Sequence, residues 1–193
     1  MKSLLCLFTV SSFAALAFGL WIPFKALIAQ ELLELAWAES QARQQQVRPW
    51  PWADTWPVAR LNFAEPQQSM IVLDGAHGES LAFGPGQVFG DGGRAGPTVI
   101  AGHRDTHFKS LEHLKRGSRL RLQDRDGQWR SFRVSATRVV DSRHQLINTD
   151  ALPEDALLLV TCYPFDGLES RGPLRYVVEA VATSSGYPSV VES

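Results

Sequence analysis

Residues 157–162 read Leu157-Leu158-Leu159-Val160-Thr161-Cys162, an apolar run that ends in a thiol. Tyr163-Pro164-Phe165 follows at once, and a proline cannot donate a hydrogen bond to a sheet ladder. A short apolar run bounded by such a turn signal is typical of a buried strand. The pattern therefore predicts a strand that ends at Cys162, with the thiol at the rim of a sheet rather than deep in a core.

Two other apolar runs carry side chains that a buried strand rarely holds. Residues 97–101 lead directly into Gly102 and His103, and Arg175 lies inside the run formed by residues 173–178. A thiolate can attack a carbonyl, an imidazole can move the protons, and a guanidinium can stabilise the oxyanion that forms. Cys162, His103 and Arg175 are therefore the candidate residues of a thiol transferase or thiol protease.

This combination resembles the sortase family. The signals are the Thr161-Cys162 ending of an apolar strand, the Gly102-His103 pair after another strand, and Arg175 on the strand that follows the cysteine. The spacing of the three residues along the chain also fits, and the similarity covers roughly residues 56–181. Stretch 103–108, which reads His-Arg-Asp-Thr-His-Phe, is most similar to the sortases of Gram-negative bacteria. The chain departs from the commonest family form at Leu158, where that form has threonine.

The resemblance implies a fold, a set of roles and a reaction. The fold is an eight-stranded β-barrel, with Cys162 as nucleophile, His103 as general acid/base and Arg175 as ligand of the oxyanion or substrate. The thiolate would cleave a sorting motif of the Leu-Pro-x-Thr-Gly type, near the C terminus of a protein substrate, to give a thioester. An amine acceptor, a component of the cell envelope, would then take the acyl group.

Four residues are expected to contact the substrate. The hydroxyl of Thr161 is predicted to orient it, next to the nucleophile. Leu146, Ile147 and Leu152 lie in the connection between residues 141 and 154 and are predicted to line the groove. This second expectation rests on the resemblance and on the tendency of loops to carry specificity.

Composition limits the other classes of function. The net charge of −1 over 193 residues provides no basic field for nucleic acid, so no nucleic-acid partner is predicted. The two cysteines, Cys6 and Cys162, lie in different parts of the chain and predict no disulfide. No phosphate-binding loop or other cofactor motif is present, and no cofactor is predicted.

The sequence does not favour a zinc site, so no metal is predicted. His103 and His107 are four residues apart, which is a metal-ligand spacing on a helix. However, the strand that ends before Gly102 places His103 ahead of any helix. Arg104 also follows His103 directly, where the metalloprotease motif has its glutamate.

The N-terminal residues predict a membrane anchor. Residues 4–24 carry no charged side chain, and a helix of about 20 residues spans a bilayer core. We take residues 1–25 as a single-pass anchor in contact with membrane lipid, with the catalytic domain on the outer side of the cytoplasmic membrane. The alternative is a signal peptide cleaved after Ala15-Leu16-Ala17.

Residues 26–54 are predicted to form a helical stalk followed by a linker rich in proline and tryptophan. The stalk pattern is amphipathic, and Arg48-Pro49-Trp50 is predicted to end the helix. Five residues are expected on its apolar face: Leu27, Ile28, Leu32, Leu35 and Ala36.

Residues 55–183 predict a mostly β domain. Short strands are expected at residues 58–63, 70–73, 97–101, 119–122, 129–140, 156–162 and 174–182, with a short helix at 108–114. The glycine-dense stretch of residues 84–93 is expected to be a loop. Seven or eight short strands with such turns indicate a closed or nearly closed barrel. Residues 184–193 are expected to be a tail.

Two other functions stay open at this point. One is an exported cysteine endopeptidase that uses water as acceptor. The other is an anchored β-barrel binding module without catalytic activity, in which Cys162 is a small buried hydrophobe.

Overall fold

A computed structural model of the chain describes residues 2–78, 80–90, 96–145, 148–167 and 172–183. Helix α1 (Lys2–Arg43) precedes all the strands, and α2 (Ser80–Phe83) is one short turn. Short 3-10 helices lie at Lys109–His113 and Thr149–Ala151. The strands are β1 (Pro57–Phe63), β2 (Gln68–Asp74), β3 (Gly86–Phe89), β4 (Thr98–Ala101), β5 (Arg119–Gln123), β6 (Trp129–Asp141), β7 (Ala156–Cys162) and β8 (Leu174–Ala182).

These eight strands form a closed barrel in the order β1-β2-β3-β4-β7-β8-β6-β5, which confirms the predicted fold. The β2–β3 and β4–β7 pairs are parallel, and the other six are antiparallel. Because β4 and β7 are parallel neighbours, their carboxyl ends lie at the same end of the barrel. His103 was predicted to follow the end of the first of these strands, and Cys162 was predicted to be the last residue of the second.

Every second side chain along the strands points into the barrel, and the apolar ones among these fill its interior. In β5, Leu120 and Leu122 are buried while Arg119 and Arg121 point outward, as the period of two in a strand requires. The interior cluster joins side chains from almost every strand to the segment after β4, and its large members include Leu61, Phe63, Ile100, Phe108, Leu120, Phe132, Leu157 and Leu159.

The glycine-dense stretch contains a strand, so the prediction of a loop there was wrong for β3. The main chain passes very close to another segment at this point: a Cβ on Gly86 would lie 2.0 Å from the carbonyl oxygen of Gly75. The glycine that suggested a loop is needed because two backbones meet, which is the other reason for glycine in a strand.

Helix α1 is one continuous helix of 42 residues, and its second half packs on the barrel. Leu33 and Trp37 are fully buried against Ile71 and Leu73 on the outer face of β2. Ala29, Ala36 and Ser40 are buried on the same side of the helix. We call residues 29–44 the docked segment.

The docked face differs from the predicted one. Leu27, Ile28 and Leu35 are exposed, and of the five predicted residues only Ala36 is fully buried. Small residues let the helix approach the sheet, and Trp37 fills the remaining space. The sequence pattern had instead favoured the leucines as the buried residues. The helix also ends earlier than predicted, at Arg43, and Gln44 adopts the left-handed conformation with φ 53°.

Polar contacts fix the docked segment along its length. Glu34 forms an ion pair with Arg60 of β1. The amide nitrogen of Gln44 donates to the carbonyl oxygen of Arg125 in the β5–β6 turn (3.3 Å). Gln30, near the other end, donates to the carbonyl oxygen of Phe83 (2.8 Å). Among the described residues, α1 is the one helix long and apolar enough to cross a membrane. The predicted tail lies outside the described residues.

Candidate active site

His103 sits just beyond β4, in a turn whose shape depends on its neighbours. A Cβ on Gly102 would lie 2.9 Å from the ring of Phe108, so only glycine leaves room for that buried ring. The backbone N–H of Phe108 donates to the carbonyl oxygen of His103 (3.0 Å) and closes the turn. The imidazole of His103 is exposed as a result.

Cys162 ends β7, as predicted, and its free thiol is partly exposed. Leu157 and Leu159 point into the barrel, whereas Leu158 belongs to a cluster on the outside. Side chains alternate along a strand, so Cys162 projects to the same outer face as Leu158. The thiol therefore lies on the open side of the barrel wall.

One cavity brings His103 and Cys162 together. It has a volume of about 230 Å³ and is lined by His103, Arg104, Asp105, Thr106 and Cys162. The segment after β4 supplies four of these residues, and the end of β7 supplies the thiol. The parallel pairing of the two strands, with Ala101 opposite Val160, produces this meeting of the two segments.

Arg175 is the register partner of Cys162 in the antiparallel β7–β8 pair. Directly opposed residues project to the same face, with Cβ atoms roughly 5 Å apart. Its Nη1 donates to the carbonyl oxygens of Gly172 (2.6 Å) and Leu174 (2.9 Å), which holds the guanidinium beside the start of β8. The structure thus brings all three candidate residues to one region, although Arg175 does not line the His103–Cys162 cavity.

Thr161 has a different environment from the other predicted substrate contacts. Its side chain is buried and faces the barrel interior. The hydroxyl donates to the carbonyl oxygen of Gly102 (2.7 Å), the residue before His103. The backbone N–H of Gly102 in turn donates to the carbonyl oxygen of Val160 (3.1 Å). Thr161 therefore ties the ends of β4 and β7 together, and its contact with substrate stays a prediction.

An apolar floor extends from Cys162 along the outer face of β4, β7 and β8. Cross-strand register aligns Ala101, Val160 and Val177 in one row of this face. Leu152, predicted to contact substrate, packs on the same cluster from the β6–β7 connection. Leu146 and Ile147 lie outside the described residues.

The β6–β7 connection starts from an ordered corner. Arg143 donates hydrogen bonds to both carboxylate oxygens of Asp141 (3.1 and 2.7 Å), and this holds the pKa of that carboxyl well below its usual range. The backbone N–H of Ser142 donates to the carbonyl oxygen of Pro173 (2.9 Å), two residues before Arg175. The corner thus fixes the connection next to the strand that carries Arg175.

His107 is half-buried beside the cavity. Burial lowers its pKa from the ordinary value of 6.5, and electrostatic repulsion from His103 lowers it further. A hydrogen bond with the backbone of Phe83 acts in the opposite direction. Among the described ranges, no three His, Cys, Asp or Glu side chains form a group that could hold a metal ion.

The profile of a protein family described as Sortase domain aligns with residues 64–183 of this chain. The chain belongs to the sortase family. The matched range contains His103, Cys162 and Arg175 and all the strands except β1.

Individual sortases show the same similarity. Sortase D of Bacillus subtilis (strain 168) is 35% identical over 83 residues, which are 43% of this chain and 41% of that protein. The match thus spans about two fifths of the length of that relative. Within the solved structures, the catalytic domain of B. anthracis SrtD is 30% identical with a TM-score of 0.52, over 66% of this chain and 87% of that chain. Sortase C-1 of Actinomyces oris is 25% identical with a TM-score of 0.55, over 66% and 72% of the two chains.

Two parts of this sortase site were not predicted from the sequence. Val160 and Ala101 were read only as strand residues, although their register places them on the floor beside Cys162. Arg104 was noted as part of stretch 103–108 and as a departure from a metal motif, but no role was predicted for it. The carbonyl oxygens of Pro164 and Gly167 accept hydrogen bonds from it, and since any residue type provides a main-chain carbonyl, no sequence pattern marks these contacts.

Proposed function

We propose that this sortase is a membrane-anchored cysteine transpeptidase. It cleaves a sorting motif of the Leu-Pro-x-Thr-Gly type in a protein substrate and transfers the acyl group to an amine acceptor in the cell envelope. The observation that carries the proposal is the meeting of three groups on one open face of the barrel. His103 and Cys162 line one cavity, and Arg175 is opposite Cys162 in the sheet.

The chemistry assigns one role to each group. The thiolate of Cys162 attacks the threonine carbonyl, and Arg175 donates hydrogen bonds to the oxyanion. His103 protonates the departing glycine amine as the C–N bond breaks, which leaves a thioester on Cys162. The acceptor amine then attacks the thioester, His103 removes its proton, and the thiolate leaves. The product is an amide, and the enzyme returns to its starting state.

The apolar floor supports the substrate class. Val160 and Ala101 lie directly beside the strand ends that carry Cys162 and His103, and Leu152 borders the same surface. A surface of this kind suits the leucine and proline of a sorting motif, which precede the scissile bond. We assign Leu152, together with Leu146 and Ile147, to the wall of this groove.

Export and anchoring belong to the same proposal. The first part of α1 is apolar, and its described side chains, such as Phe13 and Phe18, are exposed. A lipid environment removes this apolar surface from water. We place residues 1–25 in the cytoplasmic membrane and the barrel on its outer side, and we expect the subgroup to be the Gram-negative type.

The test uses the full chain in detergent micelles, because removal of α1 would expose the surface of β2 that it covers. A library of Leu-Pro-x-Thr-Gly peptides is incubated with and without a glycine-type amine, and products are identified by mass spectrometry. We expect an amide product that disappears in Cys162→Ala, His103→Ala and Arg175→Ala and persists in Arg133→Lys, which alters an exposed guanidinium of β6 outside the site.

Three other results would each revise the proposal. A carboxylic acid product that no tested amine diverts would indicate a cysteine endopeptidase. Amide formation that survives Cys162→Ala would remove the nucleophile assignment. A folded protein that neither cleaves peptides nor forms a thioester would favour the binding module.

A further inference from the structure

Arg104 is a buried arginine directly beside the candidate active site. Only 7% of its surface is exposed, whereas arginine is among the residue types that are almost never buried without a partner. Its guanidinium stays charged in any protein environment. A cation in this position needs acceptors that are built into the structure, and their identity indicates its role.

Two acceptors of Arg104 lie in the segment that follows Cys162. Arg104 Nη1 donates to the carbonyl oxygen of Pro164 (2.7 Å), and Nη2 donates to that of Gly167 (2.5 Å). The two nitrogens of one planar fork thus hold two points of the same loop. A Cβ on Gly167 would lie 3.2 Å from Nη1, so the absence of a side chain there gives the guanidinium its room.

A second set of hydrogen bonds joins the same two segments on the other side of the catalytic residues. Gly102, just before His103, bonds with Val160 and Thr161, just before Cys162. Arg104, just after His103, bonds with the loop just after Cys162. Hydrogen bonds therefore join the residues on both sides of His103 to those on both sides of Cys162. Arg104 supplies the bonds that lie beyond the paired ends of β4 and β7.

We propose that Arg104 is a positioning residue that holds the His103 and Cys162 segments at the separation needed for proton transfer between imidazole and thiol. The assignment rests on the proposed function, since that is where proton transfer between the two groups is required. Displacement of a reacting group by about 1 Å can cost roughly 100-fold in rate. A lysine in place of Arg104 keeps the charge but cannot reach both carbonyl oxygens with one fixed fork.

The test compares Arg104→Lys with Arg133→Lys in the full chain. Arg133 is the matched control, because its Nη1 also donates to a backbone carbonyl oxygen, that of Gly117 (3.2 Å), in the β5–β6 region. Iodoacetamide labelling of the peptide containing Cys162, quantified by mass spectrometry, gives both the fraction of reactive sites and the labelling rate. Peptide turnover is then expressed per reactive site.

For Arg104→Lys we expect kcat per reactive site to fall roughly 10- to 100-fold, with KM changed less than about threefold. Arg133→Lys should match the wild type in both values. If Arg104→Lys lowers only the fraction of reactive sites, and kcat per site is unchanged, the role is structural and the inference is overturned. Arg104→Ala should show a larger loss of kcat, but the conclusion does not depend on its folding.

Labelling separates this inference from the proposed function. If the wild type turns over no sorting peptide, the proposed function fails, and the labelling rate of Cys162 decides the role of Arg104. A rate in Arg104→Lys that differs from that in Arg133→Lys supports the positioning role for a thiol of another activity. Equal rates overturn it.

Discussion

Thr161 illustrates how a residue next to the proposed nucleophile can act through the main chain. Its hydroxyl donates to the carbonyl oxygen of Gly102, and both residues are buried. Replacement by valine keeps the shape but leaves that carbonyl oxygen without its partner, which typically costs about 1–3 kcal/mol. We expect Thr161→Val to lower the free energy of unfolding by this amount, measured in urea, and Thr161→Ser to retain most of it. A hydroxyl that acted only on substrate would leave the stability of the unliganded protein unchanged.

His107 should make stability depend on pH. Its pKa in the folded protein lies below the ordinary value of 6.5, chiefly because it is buried, so the unfolded chain binds the proton more readily. The free energy of unfolding therefore rises with pH between the lowered pKa and 6.5, and this contribution is lost as pH falls through that window.

Urea unfolding at about pH 7.5 and at about pH 5.5 checks this expectation. His107→Gln should lose less stability on acidification than the wild type does. His113→Gln, which removes an exposed histidine at the end of the 3-10 helix Lys109–His113, should behave like the wild type. Equal acid sensitivity in His107→Gln and the wild type would contradict the assignment.

At the scale of elements, β3 depends on the absence of a side chain. A Cβ on Gly86 would meet the backbone of Gly75 at 2.0 Å, and neither segment has a flexible end that can move aside. We expect Gly86→Ala to destabilise the barrel by about 3 kcal/mol, the upper end of the usual cost of overpacking. Gly96→Ala is the control, because no atom lies within 4 Å of its Cβ position, although its φ of +75° carries a smaller strain. Thermal unfolding of the three proteins gives the comparison.

The same element shows where sequence reasoning stops. Runs such as residues 156–162 and 174–182 were predicted with their observed bounds, because apolar content and turn residues are local signals. Gly86 carries two opposite meanings, a turn or a close approach of backbones, and only the tertiary structure distinguishes them.

The candidate site divides in the same way. Residue types that are rare in strands, such as Arg175, could be predicted from the sequence. The contacts of Arg104 and the outward row of Val160 and Ala101 could not, because they depend on carbonyl positions and on register between strands distant in the chain. The docked face of α1 is a related case, since small residues rather than leucines form it.

At the scale of the whole molecule, the docked segment is part of the barrel's structure. Trp37 and Leu33 are fully buried against Ile71 and Leu73. A fragment beginning at residue 47 would expose this surface of β2, whereas one beginning at residue 26 would keep it covered. We expect the shorter fragment to unfold at a lower temperature and to associate more strongly.

Trp37→Ala in the longer fragment should cost about 3–5 kcal/mol, and Leu35→Ala, whose side chain is 64% exposed, should cost little. Calorimetry and light scattering give the two readouts.

The unbroken run of α1 from its apolar half into the docked segment has a consequence for the choice of substrate. With residues 1–25 in a bilayer, as proposed, residues 26–43 rise about 27 Å along the helix axis while attached to the barrel. The cleft that contains Cys162 then stays at a fixed height above the membrane surface. A substrate anchored in the same membrane reaches Cys162 by lateral diffusion. Its scissile bond meets the thiol only when the spacer between the anchor and that bond places the bond at the same height. The length of this spacer thus becomes a second determinant of substrate specificity, one that depends on distance rather than on contacts with side chains.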